Sequence, residues 1–112
     1  MSMIGIDIAS SKRFGTISKK DFKHWSKWYT KREWDYCFTF AMPAERLAST
    51  FAAKEAVIKA FEKKVKLGDI EIRRTQNGGP KVYIKGKQSS KVVVTITHDA
   101  GIAAAVALLK NV

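Results

Sequence analysis

The chain opens on an alternation. Ile4, Ile6 and Ile8 hold one phase while Gly5 and Asp7 hold the other, which predicts a short buried strand from Met3 to Ile8, with Asp7 near its end. Phe22, Trp25 and Trp28 or Tyr29 then recur at helical spacing, so roughly 19–28 should form an amphipathic helix. Thr30 and Glu33 make a T-x-x-E capping box that starts another helix, through about Phe38. Pro43 suits a first helical turn, and from there to about Lys63 runs the longest helical pattern, with Leu47, Ala48, Phe51, Ile58 and Phe61 on one stripe. Glu55 falls at one edge of that stripe, Lys59 just beyond it on the same side, and Lys54 nearer the centre.

Past Gly68 the period changes to two. Ile70 and Ile72 alternate with Glu71 and Arg73; Asn77-Gly78-Gly79-Pro80 is a strong turn; Val82 and Ile84 continue as a second strand, so 69–86 reads as a hairpin. Val92, Val94 and Ile96 define a third strand that ends at Thr97 and His98, and Asp99-Ala100-Gly101 turns. Ile102 to Leu109 is ambiguous: its alanines favour helix, whereas its length and flanking turn allow a central strand buried on both faces. The pattern as a whole predicts an α+β fold, with a small antiparallel or mixed sheet packed against one long helix and shorter ones. At 112 residues it is one domain, 1–112.

Charge changes this picture more than composition does. The apolar fraction of 46% is ordinary, but 21 Lys and Arg against 10 acidic residues leave +11, a field that attracts polyanions. Cys37 is the single cysteine, so no intrachain disulfide forms, and it reads as a small core residue in a reducing compartment. The apolar start MIGIDI is too short for a signal peptide and carries an aspartate, and no apolar run approaches a membrane span; the expectation is a cytoplasmic protein. The three tryptophans could stack nucleic-acid bases, although supplying bulk to a small core is the plainer use.

Two acids stand out against that basic background. Asp7 and Glu55 each sit in apolar surroundings on a regular element, where a carboxylate is costly unless it is paired or bound to a cation. Either could be satisfied locally, Glu55 by Lys59 and Asp7 by an arginine. Together they form a hard oxygen pair suited to Mg²⁺, which often binds through one or two carboxylates plus substrate phosphates. Lys59 would then offer a point charge to a phosphate. His98 could donate to another phosphate oxygen, or simply bond to its neighbourhood.

Three segments, taken in order, resemble one family: GIDIASSKRF (5–14), FAAKEAVIKAF (51–61) and VTITHDAGIAAAVALL (94–109), with IEIRRTQNGGPKVYI between the second and third. They look like the holo-acyl-carrier-protein synthases, the short 4′-phosphopantetheinyl transferases. The resemblance implies that fold, and transfer of the phosphopantetheine arm of coenzyme A to a carrier-protein serine, with release of adenosine 3′,5′-bisphosphate, in the service of fatty acid biosynthesis. It implies that Asp7 and Glu55 hold Mg²⁺ and act in catalysis with Lys59, which contacts the phosphates. It implies coenzyme A contacts from His98 and Thr97 of the T-H motif and from Lys54, and carrier contacts from Arg13 and Lys12. The base that takes the serine proton would be Glu55 or a metal-bound water. It further implies a homotrimer with sites at the subunit interfaces, His98 coming from a neighbouring chain. Two departures stand out: Thr50 replaces a basic residue common in the family, and the loop after the helix is shorter and carries Lys63, Lys64 and Lys66. From a different class, a basic nucleic-acid-binding module would explain the charge and the aromatics but leaves Asp7 and Glu55 without a purpose, since carboxylates repel a phosphate backbone.

Overall fold

The structure is a computed structural model that describes residues 3–76 and 79–110. Strand β1 (Met3–Ser10) leads through a 3-10 turn (Ser11–Phe14) to two short helices, α1 (Phe22–Trp25) and α2 (Lys31–Cys37). The long helix α3 (Pro43–Ala60) follows. Then come the strands β2 (Ile70–Arg74), β3 (Pro80–Ile84), β4 (Lys87–Gln88), β5 (Val92–Asp99) and β6 (Ile102–Leu109). β1, β6 and β5 form one antiparallel sheet in that order, and β2, β3 and β4 form a second. This is the expected α+β architecture, and α3 packs against both β1 and β6.

Local chemistry accounts for the helix ends. The Thr30 hydroxyl accepts from the Glu33 N–H while the Glu33 carboxylate accepts from the Thr30 N–H, so the capping box is present as expected. Pro43 occupies the first turn of α3. The helix stops at Ala60 rather than Lys63, because Glu62 and Lys63 turn into the left-handed region at φ 54° and 64° and return their N–H groups to Lys59 O and Ile58 O. The helix expected over 19–28 shrinks to a 3-10 turn plus α1, yet its aromatics still face the core: Trp28 stacks on Phe51 at 5.2 Å, and the buried Tyr29 hydroxyl donates to Leu47 O. Trp34 is fully buried, so the tryptophans are core bulk rather than a stacking platform. Asn77 and Gly78 of the expected hairpin turn lie outside the described residues.

Two strand expectations need correction. In β1 the isoleucines are not the buried phase: Ile4, Ile6 and Ile8 are 67%, 59% and 63% exposed, whereas Gly5 and Ala9 are buried and Asp7 half-buried. The reason is steric. A methyl group at Gly5 would come 1.9 Å from Ala56 O and 2.7 Å from Ala60 N, so only a glycine phase can lie on the helix. The ambiguous last segment is a strand, central as one alternative had it, but it is not buried on both faces. Ala103, Ala105 and Ala107 face α3, while Ile102 and Val106 face outward. The alanines that favoured helix serve here to let a helix approach the sheet.

Gly5→Ala should therefore cost on the order of 3 kcal/mol of folding stability, because the new methyl meets backbone that cannot move aside. Urea unfolding measures it, and a change of a few tenths would show that β1 can lift from α3.

Candidate active site

The close crossing of β1 over α3 brings Asp7 to Lys59. Gly5 lies at Ala56 and Ala60, and Phe14, just past the strand, packs its ring 5.9 Å from that of Phe51. β1 thus runs back along the helix, and Asp7 enters between those two contacts. Lys59 Nζ donates to Asp7 Oδ1 at 3.0 Å and to Ile6 O at 2.9 Å. Glu55 sits one helical turn before Lys59 on the same side of α3, half-buried. Among the described residues no ion pair engages Glu55. The lysine one turn away has gone to the strand aspartate instead, and among the described residues no arginine pairs with Asp7.

The donor set at this crossing fits a hard divalent cation. Asp7 already directs an oxygen at a positive group, and Glu55 retains its acceptor capacity. Among the described residues no three His, Cys, Asp or Glu side chains gather into a cage. A divalent cation here would be held by Asp7 and Glu55, with water and ligand completing its shell, the habit of Mg²⁺.

Lys54 departs from expectation. It is fully buried, and its ammonium donates to Glu33 Oε1 at 2.8 Å and to Trp28 O at 2.9 Å, so it does not reach a solvent-borne phosphate. Its side chain and that of Glu33 are 1% and 0% exposed. Glu33 also accepts from the backbone N–H of Thr30 and, at 2.7 Å, of Ile72. Burial raises the Glu33 carboxyl above the ordinary carboxylate range, and the Lys54 ammonium and the two backbone N–H groups pull it back. Every contact it makes is with a donor, the pattern of an ionised acceptor. The pair joins α2, α3, β2 and the loop before α2. Sequence reading found Glu33 as a cap but missed this second role, because nothing in the spacing shows that the carboxylate turns inward to a lysine 21 residues on.

Thr97 and His98 lie at the end of β5, opposite Ala104 and Ala103 of β6, so β6 separates them from β1. His98 is on the helix side, beside a small cleft with Ser11, Glu45 and Ala48; Thr97 is on the other face. Within one chain neither joins the Asp7–Lys59 contact. Arg13 and Lys12 are exposed on the turn after β1, and the Arg13 guanidinium lies 5.2 Å from the Phe51 ring centre. Cys37 is buried, and burial pushes its thiol up to about 11, so it is no nucleophile at neutral pH.

The model of the 4′-phosphopantetheinyl transferase superfamily matches residues 3–107. The chain belongs to that superfamily. As a transferase-family enzyme it is 38% identical over 105 residues to the holo-[acyl-carrier-protein] synthase of Thermodesulfovibrio yellowstonii, covering 91% of this chain and 92% of the relative. The Bacillus subtilis synthase is 33% identical over 114 residues, covering 96% and 94%. Among solved structures, a Bacillus anthracis holo-(acyl-carrier-protein) synthase in complex with CoA (3′,5′-ADP) superposes with a TM-score of 0.77 at 30% identity, over 98% of this chain and 96% of that one. The Helicobacter pylori synthase in complex with coenzyme A gives 0.77 at 26%, over 96% and 100%. The transferase resemblance read from the three motifs stands, and with it the fold. No helix among the described residues is long and apolar enough to cross a membrane.

Lys54→Ala, which strands the Glu33 carboxylate inside this transferase, is expected to cost about 3–5 kcal/mol, while the paired change Glu33→Leu with Lys54→Met should recover most of it. Denaturant midpoints of the three proteins decide it; a harmless Lys54→Ala would mean that the pair is not buried in solution.

Proposed function

We propose that the chain transfers the 4′-phosphopantetheine arm of coenzyme A to a serine of an acidic acyl carrier protein, with Asp7 and Glu55 holding Mg²⁺. The observation that carries this reading is the crossing itself: a strand aspartate already paired with Lys59, and one helical turn before that lysine a half-buried glutamate with no ion pair among the described residues. The names of the relatives and the coenzyme A in two of the similar structures support the substrate.

The chemistry is displacement at phosphorus. The serine oxygen bonds to the phosphorus bearing the pantetheine arm, the bond to the bridging oxygen breaks, and adenosine 3′,5′-bisphosphate leaves. When bound, Mg²⁺ would supply charge neutralisation on the pyrophosphate. Lys59, 47% exposed, can trade its contact with Asp7 for one with the departing phosphate, where its positive charge answers the charge that develops. Glu55 is the one carboxylate of the cluster without a lysine on it, which suits it to accept the serine proton. Lys63, Lys64 and Lys66 follow α3 and extend the positive field toward the nucleotide phosphates. Arg13 and Lys12 present exposed charge to a carrier's carboxylates.

The complete site belongs to an assembly, in this reading a homotrimer. The face of the β1–β6–β5 sheet turned away from α3 exposes Ile4, Ile6, Ile8, Val93, Ile102 and Val106, with Ile6 directly opposite Val106, and Thr95, Thr97 and Asp99 of β5 lie along its edge. A contiguous apolar surface of this kind is covered in a stable protein; in this reading further copies of the chain cover it, and His98 and Thr97 of one copy serve Asp7 and Glu55 of another. Work on coenzyme A and a carrier protein places the enzyme in the cytoplasm, in fatty acid biosynthesis.

Two outcomes test these assignments. Glu55→Gln should lower transfer at least about a hundredfold without shifting the melting temperature, read as the mass gained by an apo carrier incubated with coenzyme A and Mg²⁺; full activity would remove Glu55 from the site. Ile6→Glu should convert the trimer to monomer in sedimentation velocity and abolish transfer together. An active Ile6→Glu monomer would defeat the shared site.

A further inference from the structure

Helix α3 is held between two ion pairs of opposite character. On one flank the Lys59 ammonium meets Asp7 of β1 at 3.0 Å, with the lysine half in solvent. On another the Lys54 ammonium meets Glu33 of α2 at 2.8 Å, with both side chains fully buried. Lys59 lies about 140° around the helix from Lys54, and Glu55 stands between them, about 100° from Lys54 and about 40° from Lys59. Within residues 51–60 only Glu55, Ile58 and Lys59 escape burial. The open strip of α3 is therefore narrow, and turning the helix by about 40° would put Glu55 where Lys59 now stands.

The packing of helix on sheet does little to oppose such a turn. Close backbone contact of Gly5 with Ala56 and Ala60 sets how near β1 lies, but the alanine methyls of this face make only shallow ridges. Rotation is left to the two pairs, and they differ in what release costs. An exposed pair holds weakly, so Lys59 is free to leave Asp7 for a phosphate. Breaking the buried pair strands a charge in the core. That pair is also anchored at both ends. The Lys54 ammonium donates to Trp28 O at 2.9 Å, and Trp28 stacks on Phe51, one turn back along α3. The Glu33 carboxylate accepts from the backbone N–H groups of Thr30 and Ile72. It thus ties α3 to α2, to the loop before α2 and to β2, none of which depends on Asp7.

We propose that the Glu33–Lys54 pair is a positioning device for the reaction: it locks the rotation of α3, and so the place of Glu55, while Lys59 leaves Asp7 for the phosphate. Buried as they are, neither side chain reaches a substrate. The use of the lock in transfer rests on the reading above; the lock itself does not.

The double variant Glu33→Leu with Lys54→Met removes the pair without leaving a buried charge, and two measurements on the full chain test the proposal. The first needs neither metal nor coenzyme A. NMR relaxation dispersion of the buried Ala56 and Ala60 methyl groups should be flat in the parent and should reveal microsecond-to-millisecond exchange in the double variant. The second is the transfer assay, in which the Mg²⁺ concentration for half-maximal rate should rise about tenfold, a shift that a smaller folded fraction does not produce. Where the double variant does not fold, Glu33→Gln, which keeps the shape and removes the charge, takes its place in both. Flat dispersion in the variant overturns the lock. A parental Mg²⁺ requirement in a variant whose methyls exchange overturns its use in transfer. A parent chain that transfers nothing removes the functional reading instead, and the dispersion result still decides the lock.

Discussion

The contact on which the rest depends has no side chain in it. At Gly5 the backbone of β1 lies so close to Ala56 and Ala60 that a single methyl group is excluded. Around it the facing surfaces are made of alanines: Ala52, Ala53, Ala56 and Ala60 on the helix, Ala9, Ala103, Ala105 and Ala107 on the sheet. Small residues on both sides bring sheet and helix together at backbone distance. Aspartate is a short side chain, and it reaches a helix lysine at 3.0 Å only because the two backbones approach this closely. A larger core would give more apolar burial and would move Asp7 away from α3. The alanine-rich interface therefore gives up packing volume, a term of about 0.8 kcal/mol per methylene, in favour of proximity between two elements that carry charge.

The opposite flank of α3 is held by a different device. Lys54 and Glu55 are neighbours in sequence, about 100° apart around the helix, and they do unrelated things. Lys54 points inward to Glu33, which in turn caps α2 and accepts from β2. Glu55 is half-buried on the side of α3 that carries Lys59. A buried ion pair contributes little net stability compared with a well-packed apolar substitute, but its partners must meet in one geometry. Three donors converge on Glu33, from Thr30, Lys54 and Ile72, and rotating α3 would strand a charge in the core. The same pair that forgoes a phosphate contact at Lys54 thus fixes the direction in which Glu55 faces.

Much of this was readable from residues whose information is local. Thr30 with Glu33, Pro43 and the two-residue turn at Ala100–Gly101, both at positive φ, act within a few residues of themselves, and each appears as its chemistry requires. The misreadings share one cause: the deciding partner lies far along the chain or outside it. Ile4, Ile6 and Ile8 are as apolar as any core strand, and periodicity cannot say which phase meets the helix when the other phase faces a surface left open in the single chain. Ile102 to Leu109 stayed open between helix and central strand because alanine is the best helix former, whereas its place between two strands uses alanine for size. Lys54 resembled a phosphate ligand because its position near the apolar centre of α3 could not reveal a carboxylate on α2. Within the candidate site, Asp7 with Lys59 is a strand-to-helix contact between residues 52 apart, which neither spacing nor the family motifs had paired. The separation of Thr97 and His98 from it by β6 needed the strand order.

The two surfaces that a single chain leaves incomplete also explain each other. An exposed apolar sheet face is a liability for a free monomer, and a net charge of +11 works against bringing copies together. The apolar face carries no lysine or arginine among Ile4, Ile6, Ile8, Val93, Ile102 and Val106, while Arg13 and Lys12 lie elsewhere on the fold. Segregated in this way, the charges stay solvated while the sheets meet, and their repulsion is relieved when anions enter. Coenzyme A and an acidic carrier are such anions. On the proposed reading, substrate binding and assembly then favour one another by linkage: each anion bound lowers the repulsion between copies, and each copy added brings more donors to the anion.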